Sequence, residues 1–80
     1  MDQQSSIFKA SHGVMTEEVG VISGELELKT SCHDDGTLEL AVTYVGAAEW
    51  YTLPGKDYKL HDVRDHAVVH QLLVNVLERA

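Results

Sequence analysis

Residues 24–46, GELELKTSCHDDGTLELAVTYVG, contain two alternating runs of apolar and polar residues on either side of a short turn sequence. Such alternation is typical of strands with one buried face, and Asp34-Asp35-Gly36 places glycine where a hairpin loop needs a left-handed residue. We therefore predict a β-hairpin in which His33 faces Thr37 across the loop. A shift of one residue would swap the two faces of both strands, so their agreement supports one register. The inward pairs in this register are Cys32–Leu38, Thr30–Leu40, Leu28–Val42 and Leu26–Tyr44.

A third strand is predicted after the hairpin. Gly46 and Ala47 form a second turn into residues 49–53, and Pro54-Gly55 ends the strand because proline cannot donate to a ladder. Continuing the register places Tyr51 and Leu53 inside and Trp50 on the outer face. Upstream, residues 19–24 extend the first hairpin strand, and residues 7–15 are a candidate fourth strand.

The C-terminal residues 63–79 have the pattern of an amphipathic helix, with Asp62 as the N-cap. At about 100° per residue, the apolar side chains span an arc of roughly 220°, whereas packing on one sheet needs only ~100°. His66 and His70 lie within this apolar arc. The sequence thus predicts an α+β domain, in which a three- to four-stranded antiparallel meander carries one C-terminal helix across one face.

The length of 80 residues fits a single small domain over residues 1–80, of which residues 1–6 are expected to be flexible. A composition of 44% hydrophobic and 24% charged residues is that of a globular chain rather than a disordered one. The single cysteine, Cys32, excludes an internal disulfide and the repeated Cys/His spacing of a structural zinc site. No apolar run has the length of a signal peptide or a membrane span, so we expect a cytoplasmic protein that does not associate with membranes.

The net charge of −7 is concentrated in residues 16–50, which hold eight acidic residues and one basic residue, Lys29. Direct binding to nucleic acid is not expected, because phosphates are bound by clustered lysine and arginine. A protein partner is expected instead, and a basic one if the acidic window steers association. The acidic residues of this window are Glu17, Glu18, Glu25, Glu27, Asp34, Asp35, Glu39 and Glu49.

His66 and His70 lie four residues apart, and Asp62 precedes them by another four. Two imidazoles at this spacing can bind one divalent ion, which is the first interpretation of the pair. The motif lacks the glutamate beside the first histidine that a zinc peptidase requires. Further ligands would have to come from His12, His33 or His61.

Two other interpretations of the histidines stay open. In one, both pack as amphipathic side chains at the sheet edge or in a helix-mediated contact, and each is hydrogen-bonded through one ring nitrogen. In the other, they belong to a homodimer face, and their protonation near neutral pH weakens association. The residues of this predicted dimer face are His66, His70, Leu73 and Leu77.

No enzymatic activity and no cofactor are expected from the sequence. Cys32 and His33 are adjacent but point to opposite faces of a strand, so they cannot easily share a proton as a nucleophile and its base. A phosphate-binding glycine loop, GxSxG and HExxH are all absent.

Trp50 is the only tryptophan, and its predicted position on the outer face suggests an aromatic anchor within a polar rim. A structural role stays open, in which a bulge after Val45 places Trp50 in the core or the N-terminal segment covers it. The sequence therefore favours a small, acidic, non-catalytic protein-binding domain, such as an inhibitor, an immunity factor or a phage-encoded antagonist. The alternatives are a self-associating structural protein and a histidine-based divalent-metal binder. The predicted partner-binding residues are Trp50, Glu25, Glu27, Glu39 and Thr43.

Overall fold

The computed structural model describes residues 1–79, which form one antiparallel sheet and one helix. The strands follow one another in the sheet in chain order, and a short 3-10 turn leads into the helix. This arrangement confirms the predicted α+β meander with a C-terminal helix. The elements are β1 (Asp2–Thr16), β2 (Gly20–Cys32), β3 (Leu38–Tyr44), β4 (Tyr51–Thr52), the 3-10 turn Val63–Asp65 and α1 (His66–Arg79).

The β2–β3 hairpin has the predicted register, with Cys32 opposite Leu38 and the other three predicted pairs in place, although Tyr44 is 42% exposed rather than inward. Its loop closes through a hydrogen bond from the His33 amide to the Thr37 carbonyl, 2.8 Å long. Gly36 has a φ of 94°, in the left-handed region that glycine favours. Its Cα also faces the Leu60 backbone carbonyl so closely that a Cβ would overlap the oxygen. The turn therefore requires glycine for two independent reasons.

The first residues of the chain are part of the sheet, in contrast to the flexible start predicted for residues 1–6. β1 pairs with β2 from Asp2, opposite Cys32, and the pairing continues to Thr16, opposite Gly20. The sequence here is rich in serine and glutamine, so it lacks the apolar alternation that identifies a half-buried strand. Its inward polar side chains instead bond to the helix, as described below.

The long β1–β2 hairpin bends at a register shift between Ala10 and Val14 and folds back toward β4. At its tip, the Glu17 amide donates to the Thr52 carbonyl at 2.9 Å. The Glu18 carboxylate accepts from both the amide and the hydroxyl of Thr52, each at 2.7 Å. The sheet is therefore strongly curled, with its first hairpin closing over its last strand.

The outer edge of β3 is covered along most of its length. Beyond β4, the Leu53 amide donates to the Leu40 carbonyl at 3.2 Å, and the Leu38 amide donates to the Tyr58 carbonyl at 2.9 Å. The other edge of the sheet is β1, which within residues 1–79 pairs with β2 alone. Leu53 is buried as predicted, and Tyr51 lies partly buried beside the core.

The hydrophobic core lies between the curled sheet and α1, which packs mainly against β1. Asp62 caps the helical segment as predicted, accepting from the Arg64 amide at 2.9 Å. No helix among the described residues has the length and hydrophobicity to cross a bilayer. The buried core residues are Phe8, Ala10, Val14, Ile22, Leu26, Leu28, Val42, Leu53 and Val74.

Candidate functional site

Five polar side chains form a continuous chain of hydrogen bonds between α1 and the inner face of the sheet. Asp2 Oδ2 lies 2.7 Å from His66 Nδ1, and His66 Nε2 lies 2.6 Å from Thr30 Oγ1. The same Thr30 oxygen lies 2.7 Å from His70 Nδ1, and His70 Nε2 lies 2.8 Å from Ser6 Oγ. We call these five residues the histidine network.

Three elements supply the histidine network, and their periodicities bring it together. His66 and His70 share one face of α1 because residues four apart lie above one another on a helix. Asp2 and Ser6 share the inner face of β1 because strand side chains alternate. Thr30 lies between them on β2, where it pairs with Gln4. The two imidazole rings therefore reach in opposite directions from one shared hydroxyl group.

The proton positions follow from the carboxylate at one end. An ionised Asp2 can only accept, so His66 Nδ1 carries a proton and donates it. In the neutral ring, His66 Nε2 then accepts from the Thr30 hydroxyl, whose oxygen accepts from His70 Nδ1–H. His70 Nε2 in turn accepts from the Ser6 hydroxyl. All four hydrogen bonds thus run in one direction and mutually polarise. Within residues 1–79, no buried side-chain nitrogen or oxygen lacks a hydrogen-bond partner.

The network perturbs the ionisation of the groups near its two ends. The hydrogen bond from His66 lowers the pKa of the Asp2 carboxyl, and a weaker one from Gln4 acts in the same direction. Burial lowers the pKa of the His70 imidazole, and the neighbouring His66 ring lowers it further. Since the side chain of His70 is only 4% exposed, desolvation of the charged form is the expected dominant cause.

Asp2, His66 and Thr30 have the carboxylate–imidazole–hydroxyl order of a hydrolase triad, but the fold seals the hydroxyl. Thr30 is 0% exposed and His66 is 1% exposed. The second imidazole, His70, occupies the other side of the Thr30 oxygen. As folded, this hydroxyl is closed off from solvent, unlike the nucleophile of a hydrolase triad.

The first interpretation of the histidine pair, a divalent-metal site with Asp62, lacks its carboxylate in the structure. Asp62 binds the Arg64 amide and guanidinium, the latter at 2.8 Å, instead of turning toward His66. Both ring nitrogens of His66 and of His70 are already hydrogen-bonded, where the packing interpretation predicted one on each. Among the residues that the structure describes, no three His, Cys, Asp or Glu side chains are placed to hold a metal ion.

The predicted dimer face points inward. His66 and His70 are buried, and Leu73 and Leu77 pack against the core beside Val74. His66 and His70 are therefore covered by the chain's own sheet, while Leu73 and Leu77 remain partly exposed. The apolar arc is divided between an inward sector and an outward one, which the sequence pattern alone does not separate.

Trp50 lies on the outer sheet face, where it is 37% exposed. The Nζ atom of Lys29 sits 4.3 Å from the centre of its ring, a cation–π contact that fixes the ring over the sheet. Of the predicted rim, Glu25 is exposed and Glu27 is partly buried. Thr43 is only 1% exposed, and its hydroxyl donates to the Glu49 carbonyl, so it is not available to a partner.

A cleft of about 430 Å³ opens beside Trp50 on the same outer face. Glu39 belongs to its lining and is held by His33 at 3.1 Å. Sequence reasoning missed this cleft because one of its walls comes from the irregular residues 54–58, which have no periodic pattern. The residues that line the cleft include Gln3, Lys29, Ser31, Glu39, Thr52, Lys56 and Tyr58.

Sequence reasoning also missed Asp2, Ser6 and Thr30 as members of the histidine network. One signal was present, since Thr30 is a polar residue at an inward strand position and needs a hydrogen-bond partner when buried. His66 and His70, in the apolar arc of the helix, likewise need hydrogen-bond partners when buried.

Comparisons of the chain with protein-family models, curated proteins and solved structures find no significant match.

Proposed function

We propose that this chain is a non-catalytic protein-binding domain that docks on a larger protein through its outer sheet face. The observation that supports the proposal is the position of Trp50, which stays 37% exposed on that face, whereas Thr30, His66 and His70 are buried on the other. Aromatic residues within a polar rim are the side chains that concentrate binding energy in protein interfaces.

The surroundings of Trp50 favour such a role. The Lys29 ammonium, 4.3 Å from the ring centre, holds the indole in place before a partner arrives. An anchor ordered in advance loses less conformational entropy on binding. The exposed carboxylates of Glu25 and Glu39 flank this region, and the net charge of −7 would speed encounter with a basic partner. An inhibitor, an immunity factor or a phage-encoded antagonist would use a surface of this kind.

We also propose a cytoplasmic location, in keeping with the single free thiol of Cys32, which is buried.

The test is affinity capture from the native host with three baits: the wild type, Trp50→Ala and the control Gln71→Ala. Gln71 is exposed on α1, on the opposite side of the sheet from Trp50. The wild type and Gln71→Ala should retain the same partner, and Trp50→Ala should lose at least about tenfold in affinity, the weakening expected of a binding hot spot. Because the lost cation–π contact and partial burial amount to about 1–2 kcal/mol, Trp50→Ala should still fold.

Two results would contradict the proposal. A partner that binds Trp50→Ala as tightly as the wild type would show that the outer face is not the docking surface. Unfolding of Trp50→Ala at room temperature would assign Trp50 to the core. For a basic partner, the affinity of the wild type should also fall as the salt concentration rises.

A further inference from the structure

The outward face of α1 carries an apolar stripe that nothing in the chain covers. Val68, Leu72 and Val76 are 71%, 59% and 55% exposed, and they follow one another at intervals of four residues. At about 100° per residue, these three side chains fall within an arc of about 80°, on the side opposite His66 and His70. Three large exposed aliphatic side chains in one row are characteristic of an interaction surface.

Charged residues stand at both ends of the stripe, and at about 100° per residue their positions fall within its arc. Asp65 ends the 3-10 turn before α1, and Arg79 ends α1 itself. Both side chains are exposed. The order along the face is therefore acid, Val68, Leu72, Val76, base, with Leu72 at the midpoint.

This order is complementary to itself when two helices run antiparallel. If a two-fold axis passes beside Leu72, each residue faces the one at the same distance from Leu72 in the other copy. Leu72 then faces Leu72, Val68 faces Val76, and Asp65 faces Arg79 at each end. A parallel pair would instead bring like charges together. Isologous pairing of one patch with itself is how two-fold dimers form.

We propose that the outward face of α1 is the interface of a homodimer, an antiparallel helix pair centred on Leu72 and closed by two Asp65–Arg79 ion pairs. α1 lies on the inner side of the sheet, so the dimer leaves both outer faces free, and this inference does not depend on the proposed function. The helix has 14 residues, a length of about 21 Å. Its contact is therefore smaller than the ~800 Å² per partner of a standard interface, and a micromolar dissociation constant is expected.

The first test is sedimentation of the full chain from about 1 to about 300 μM, a range that brackets a micromolar dissociation constant. The wild type should pass from monomer to dimer. Leu72→Glu places two carboxylates at the two-fold axis and should stay monomeric throughout. The matched control is Gln71→Glu, the same charge change at an exposed neighbour outside the stripe, which should dimerise within about threefold of the wild type. Far-UV circular dichroism confirms that each variant is folded.

Charge reversal distinguishes a second copy from any other partner. Asp65→Arg and Arg79→Asp should each weaken the dimer at least about tenfold, because each creates two like-charge contacts. Mixing the two variants in equal amounts should restore a dimer, since each copy then faces the opposite charge at both ends. The double variant should dimerise by itself. A wild type that stays monomeric at the highest concentration, a dimer unaffected by Leu72→Glu, or a mixture that fails to associate would each overturn the proposal.

Discussion

Replacing Thr30 with valine should destabilise this protein far more than the loss of one exposed hydroxyl would. Valine has nearly the shape of threonine and suits a strand better, so the backbone and the packing should tolerate it. The hydroxyl, however, serves two imidazoles, with distances of 2.6 Å to His66 Nε2 and 2.7 Å to His70 Nδ1. Removing it leaves one buried acceptor and one buried donor without a partner.

The magnitude follows from the burial of those two groups. An unsatisfied buried donor or acceptor costs about 1–3 kcal/mol, so Thr30→Val should lower the free energy of unfolding by about 2–5 kcal/mol. Because His66 and His70 are 1% and 4% exposed, solvent water does not reach the two rings to replace the hydroxyl. For a domain of this size, each kcal/mol lowers the melting temperature by about 4–8 °C. Thr30→Ser retains the hydroxyl and deletes one methyl group, which should cost only about 1 kcal/mol.

Urea denaturation of the wild type, Thr30→Val and Thr30→Ser, followed by circular dichroism, measures these differences. Long-range ¹⁵N NMR spectra of the wild type should in addition show both His66 and His70 with the proton on Nδ1. A valine variant as stable as the wild type, or a wild-type His66 protonated on Nε2 alone, would refute the one-directional hydrogen-bond chain.

Two further predictions concern the hairpin turn and the pH dependence of stability. Gly36→Ala should lower the free energy of unfolding by about 2–4 kcal/mol, because the new Cβ meets the Leu60 carbonyl at a positive φ. Gly46→Ala, where φ is 86° and the space is open, should lower it by only about 1 kcal/mol. Equal losses of stability in thermal melts of the two variants would contradict this. Burial lowers the pKa of His70 in the folded chain. Below a pH of about 6.5, the imidazole of the unfolded chain therefore binds a proton that the folded chain does not. The free energy of unfolding should decrease there as the pH falls, by up to about 1.4 kcal/mol per pH unit. Urea titrations at a series of pH values should show this slope reduced in His70→Gln. The slope should be unchanged in the control His61→Gln, which alters an exposed ring. A slope that His70→Gln leaves intact would assign the proton to another group.

The parts of the fold that follow from local rules were predictable. The turn glycine at position 36 and the alternation on both sides of it determine the β2–β3 register, and that register is confirmed pair by pair. The N-cap at Asp62 is likewise confirmed because capping depends on nearest neighbours alone. Both features need only a few consecutive residues to define them.

The rest depends on contacts between distant parts of the chain. Residues 2–6 were predicted to be flexible because they lack apolar alternation, yet Asp2 and Ser6 bond to histidines 64 residues away. The inward sector of the helix was equally hidden, since the buried His66 and the exposed Leu72 lie in the same apolar arc. His66 faces the sheet because the Thr30 hydroxyl provides a hydrogen-bond partner there. Hydrophobic periodicity carries no information about such partners.

The histidine network joins the first strand of the chain to its last helix, and this has a consequence for biosynthesis. Asp2 and Ser6 each emerge from the ribosome 64 residues before the histidine that bonds to them. Until the helix forms, the Thr30 hydroxyl would lie on the apolar face of a nascent sheet without a hydrogen-bond partner. The edge of β1 would also be uncovered. We therefore expect the nascent chain to acquire its native core only after His70 has emerged, so that a chain truncated before His66 is prone to aggregation and proteolysis.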